Sequence, residues 1–132
     1  MLLWSLRIDL TLLMVLLALQ AALAAGFVSG SVGLLSIHGV NAFFITVLAF
    51  IGFALAGLFY FVSRGPLWPF PSTGLLWLAT FVQEIFGYVR LVGVHIFFGV
   101  TVISVAAVVC ALVWRTPYNR RPGRSELREA SR

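Results

Sequence analysis

Within the long apolar runs of this 132-residue sequence, ionisable and amide side chains are few: Gln20, His38, Asn41, Gln83, Glu84, Arg90 and His95. The two histidines are the ones whose chemistry is most specific. Imidazole binds a metal through one ring nitrogen while the other needs an acceptor to fix it. Two imidazoles meeting from opposite sides are what a six-coordinate haem iron takes. Each histidine is followed one helical turn later by a small residue, Ala42 after His38 and Gly99 after His95. Farther along the same stripes come Ala49 and Ala106, a spacing that returns to one helix face. A flat macrocycle would find room there, with Phe43, Phe44, Phe97 and Phe98 as an aromatic wall.

The other polar groups fit supporting roles. Gln20 and Gln83 read as interhelical hydrogen-bond partners, or as groups that orient the imidazoles. Arg90 has the planar fork that matches a carboxylate such as a haem propionate, and it equally suits snorkelling to lipid headgroups. Glu84 stands six residues before Arg90, off its helical face, so the two are not read as a pair. Thr46, Thr101 and Ser104 are expected to bond their own helix carbonyls. Each histidine taken alone also has a plain packing reading, as a polar group bonding two helices. No nucleophile, base and orienting group stand together, which leaves hydrolase chemistry without support. The single cysteine, Cys110, cannot form an internal disulfide.

The elements that must carry these residues follow from composition. The chain is 61% hydrophobic and 10% charged, with a mean hydropathy of +1.07, whereas soluble domains are roughly 25% charged. A water-soluble globule of this size could not hide so much apolar side chain, so the chain is read as an all-α integral membrane four-helix up-down bundle. A hydrocarbon core about 30 Å thick takes roughly 20 residues of helix. Four runs meet that length, at about 10–27, 34–62, 75–91 and 94–114, so residues 1–114 form the bundle and 115–132 a basic tail. The first run resembles a signal peptide, with Arg7 before it and Ala21-Ala22-Leu23-Ala24-Ala25 near its end, and is expected to remain as a helix. The links are a flexible Ser29–Gly33, a stiff interfacial Arg64–Pro71 and a tight turn at Gly93. Trp68, Trp77 and Trp114 are expected near span ends, in the headgroup layer.

The charge pattern sets an orientation. The formal net charge is +5, and Arg115, Arg120, Arg121, Arg124, Arg128 and Arg132 crowd the end of the chain. These, with Arg7 and Arg64, fall on one side of a four-span arrangement, which places both termini in the cytoplasm and the histidines toward the outer face of the cell membrane. The tail reads as a topology signal with attraction to anionic lipid. Nucleic acid is not an expected partner, since no aromatic platform accompanies the arginines. Spans two and four run the same way, so His38 and His95 are expected to face one cavity diagonally.

A weak duplication accompanies the pair. Gln20 precedes Gly30 by ten residues and Gln83 precedes Gly93 by ten, each leading into a histidine-bearing span. This twice-used Gln–Gly–His order resembles one four-helix half of the haem A synthase family, in which a histidine pair lies at the outer side of the second and fourth spans. The stretch Ile37-His38-Gly39-Val40-Asn41-Ala42 is also similar to small four-span bacterial membrane proteins with paired outer-side histidines. The glutamate three residues before the first histidine, the arginine after it and the outer cysteine pair of the synthases are absent here. The resemblance therefore implies a haem-holding half without synthase chemistry. Together these readings give a b-type haem protein with one bis-histidine haem b. It would be an electron carrier or a subunit of a respiratory or other redox membrane complex rather than a stand-alone catalyst. Other membrane subunits and a quinone are its expected partners. The alternative is a haem-free accessory or assembly subunit packed against a larger complex.

Overall fold

The computed structural model describes residues 1–117; the tail arginines from Arg120 onward lie outside the described residues. The described chain forms four helices, α1 (Leu2–Val28), α2 (Leu34–Phe61), α3 (Pro69–Tyr88) and α4 (Val92–Arg115), with no strand among the described residues. Three of them, α1, α2 and α4, are long and apolar enough to cross a membrane. In hydrocarbon a backbone must satisfy its own polar groups, and uninterrupted helices do so. The shorter α3 carries Gln83, Glu84 and two prolines and is less apolar.

Each helix packs on its sequence neighbours and α1 packs on α4, closing a ring in which α1 and α3, and α2 and α4, stand diagonally. Most buried positions recur at alternating spacings of three and four residues. Such are Leu3, Leu6, Leu10, Leu13 and Leu17 on α1, and Ile45, Ala49, Gly52, Ala56 and Phe59 on α2. Pro69, Thr73, Leu76 and Thr80 follow on α3, and Val102, Ala106, Val109 and Val113 on α4. That spacing is the seam of antiparallel bundle packing, with small residues on α2 and α4 letting the helices approach.

Several boundaries differ from those expected. Helix α1 begins at Leu2 instead of near residue 10, so Arg7 and Asp9 are helical. Helix α3 begins at Pro69 instead of residue 75, because proline is tolerated in a first helical turn, where its missing N–H has no intrahelical partner anyway. The supposed stiff loop thus supplies the start of a helix. Trp77 consequently sits within α3, stacked on Phe53 with ring centroids 6.1 Å apart, and not at a span end. The tight turn also moves. Gly93 lies inside α4, and the turn centres on Arg90, at φ 59°.

Both the α1–α2 and the α3–α4 turns are Schellman closures. Ser31 N–H bonds the Gly26 carbonyl and Gly30 N–H that of Phe27, while Leu91 N–H bonds Phe86 and Arg90 N–H bonds Gly87. The left-handed residue is Gly30 (φ 105°) in one turn and Arg90 in the other. The structural counterpart of Gly30 is therefore Arg90, which corrects the expected Gly30–Gly93 match.

At the end of the bundle holding the chain's first residues, Arg7 fastens α1 to α4. Its guanidinium donates to the carbonyls of Val113, Trp114 and Thr116 at 3.4, 3.2 and 2.8 Å. It also stands 5.0 and 5.4 Å from the ring centroids of Trp4 and Trp114. Carbonyls at a helix C-terminus lack i+4 N–H partners, and that of Val113 also accepts the Thr116 N–H at 3.2 Å; a cation there both caps the helix and meets the negative end of its dipole.

Candidate functional site

Toward the opposite end the four buried seams change character at a common level. Continuing the same spacing, the α1 stripe reaches Gln20 and Ala24, the α2 stripe Asn41 and His38, the α3 stripe Gln83 and Gly87, and the α4 stripe Gly99 and His95. Leucine and alanine positions become amide and imidazole positions, and the bundle centre becomes a polar layer.

That layer is tied together by hydrogen bonds. Asn41 Nδ2 donates to Gln20 Oε1 at 2.6 Å and to the Leu16 carbonyl at 3.0 Å, and Gln20 Nε2 donates to the His38 carbonyl at 3.1 Å. These lock α1 to α2. Between α3 and α4, His95 Nδ1 donates to the Gln83 carbonyl at 2.9 Å. The Gln83 side-chain amide lies 3.1 and 3.2 Å from Nδ1 and Nε2 of the same ring. In a neutral ring, donation from Nδ1 leaves Nε2 as the acceptor, the form in which imidazole serves as a ligand. Between α2 and α3, Thr46 donates to Glu84 Oε2 at 3.0 Å, not to its own helix as expected. Thr101 and Ser104 do bond the carbonyls four residues back.

His38 and His95 face each other across the diagonal, with ring centroids 6.2 Å apart and planes at 67°. The Gln20 main chain stands beside the His38 ring as that of Gln83 does beside His95. His38 Nδ1 is nonetheless buried without a hydrogen-bond partner. With metal–imidazole bonds of about 2 Å on each side, the ring centroids of two opposed ligands stand roughly 6 Å apart. The centroid separation of His38 and His95 is of that size. Among the described residues no group of three or more His, Cys, Asp or Glu gathers to hold a metal ion, and two imidazoles suffice where a macrocycle supplies the remaining donors.

The histidines border a cavity of about 460 Å³, within the usual size of small-ligand sites. Gln20, Ala24 and Phe27 line it from α1, His38, Gly39 and Ala42 from α2, Gln83, Glu84 and Gly87 from α3, and His95 and Ile96 from α4, with Arg90 contributing from the turn. Of the residues singled out from sequence, His38, His95, Ala42, Arg90, Gln20 and Gln83 thus meet at one site. Gly99 does not line it; a Cβ there would stand 3.2 Å from the Gln83 amide. The glycine that makes room for His95 is Gly87, where a Cβ would come within 2.9 Å of the imidazole. Its position four residues after Gln83, on the same face, was the available signal.

The expected aromatic wall is absent from the cavity. Phe43, Phe44 and Phe97 are exposed and Phe98 packs on Phe86. Phe43 and Phe44, five and six residues after His38, are turned about 140° and 240° around the helix from it, and Phe97, two after His95, about 200°. Phe27 and Tyr88 supply the cavity's aromatic surface instead. Glu84 and Arg90 both line the cavity and form no ion pair among the described residues. No protein-family model, curated protein or solved structure matches the chain.

Proposed function

We propose that the chain is an integral membrane b-type haem protein. Its four helices form an up-down bundle in the cell membrane with both termini cytoplasmic, and one haem b is held between His38 and His95 near the outer face. The observation that carries this reading is the opposed imidazole pair, 6.2 Å between ring centroids, at the edge of a cavity where four apolar seams turn polar together. When bound, the haem supplies a one-electron couple at its iron. The chain's own residues do the holding. Gln83 fixes the His95 tautomer through its carbonyl, Gln20 and Asn41 fix α2 against α1, and Ala42 and Gly87 leave space beside the imidazoles. Arg90, which lines the cavity, would meet a propionate through its planar fork. Electron transfer, alone or as a subunit of a redox membrane complex with a quinone as partner, is the activity that suits such a site.

One observation favours a second reading. With Nδ1–H given to the Gln83 carbonyl, the Gln83 amide donates to Nε2 of His95, as it would if the histidine only bonded α3 to α4 in a haem-free accessory subunit. The visible spectrum of the purified protein, compared with His38→Ala and His95→Ala, separates the two.

A further inference from the structure

Asp9 has no part in the cavity. It lies on α1 toward the opposite end of the bundle from the histidines, 5% exposed. Both carboxyl oxygens are buried with no hydrogen-bond partner among the described residues. The carboxyl points at α2, where the absence of a side chain on Gly52 leaves its place: a Cβ there would come within 2.5 Å of Oδ2.

Of the other charged and titratable groups toward this end, Arg64 is exposed and Tyr60 stands one turn beyond Ala56 on α2. Arg7, two residues before Asp9, directs its guanidinium to the α4 carbonyls. On α2 the facing stripe is Ala49, Gly52 and Ala56. On α4, Cys110 lies beside the Thr11 hydroxyl and Arg115 is exposed. The buried hydroxyls of Thr73 and Thr80 on α3 donate to carbonyls of their own helix.

We propose that Asp9 is a proton-binding site inside the bundle. Its carboxylate takes one proton from water at the arginine-bearing end, becomes the neutral acid and returns the proton there; no other bond forms or breaks. A bare carboxylate stripped of water and donors is the costly form of this group, and ionisable residues within spans are kept for such work. A metal cation is the poorer occupant, because it needs several oxygen ligands and no cluster that could supply them gathers among the described residues. This inference does not depend on the haem.

Asp9 is the only aspartate in the chain, so carbon-13 labelling of aspartate reports it alone, without mutation. Infrared spectra of the labelled full-length protein in lipid nanodiscs are expected to show an isotope-shifted carboxylic-acid carbonyl band at neutral pH. That band is expected to convert reversibly to carboxylate bands as the pH is raised, and to be missing from Asp9→Asn. Carboxylate bands alone at neutral pH, or an acid band that no pH removes, would overturn the proposal.

Discussion

His38 and His95 reach the cavity with different supports. Nδ1 of His95 is held by the Gln83 carbonyl, whereas Nδ1 of His38 is buried and unpaired. If both bind iron, His38→Ala and His95→Ala should each turn a low-spin spectrum high-spin or lose the haem, with the helices intact by circular dichroism. Histidines that only join helices would instead lose about 0.6–2 kcal/mol of packing with no optical signature. Arg90 offers a sharper separation of binding from folding. Its left-handed backbone suits glycine better, by about 1 kcal/mol. Arg90→Gly is therefore expected to raise the thermal midpoint of the bundle while lowering its retention of haem. Unchanged retention would show that the guanidinium serves the headgroups. At this scale the histidines and glutamines were legible because polar residues in apolar helices are rare, and Ala42 because it stands one turn after His38. Gly87 had a signal in its place four residues after Gln83 on one face, whereas Thr46 had none, because a threonine in a helix gives no sign of which neighbour it faces.

Helix α4 is held at its last turn by Arg7, and this contact is the element-scale counterpart of the polar layer at the other end. Arg7→Leu removes three donor–carbonyl bonds and two cation–π contacts. The expected loss is about 1–3 kcal/mol, seen as a lower midpoint in detergent-resistant unfolding. The spectrum of a bound haem should be unaffected. From sequence, Arg7 read only as a flanking charge. Its partners are carbonyls more than a hundred residues away, and no local pattern announces a cap supplied by another helix. The existence and order of the four helices were legible from apolar run length. Their ends were less so: hydropathy marks where a chain leaves the apolar phase, whereas Pro69 and Arg90 mark where the backbone starts or stops coiling.

For the molecule as a whole, the ring of helices sets Arg7, Arg64 and Arg115 toward one end and the imidazoles toward the other. In the proposed orientation, which follows the positive-inside rule, the histidines lie outside. A reporter fused after Arg132 is expected to be cytoplasmic and one inserted at Ser31 external; a reversal would move the site to the inner face. The central claim is that this polar layer holds haem, and the most direct measurement is a reduced-minus-oxidised visible spectrum of wild-type protein purified from haem-replete cells. The expected result is a low-spin b-type difference spectrum with one haem per chain. A colourless protein with its helices folded would contradict the cytochrome reading and leave the accessory-subunit reading in its place.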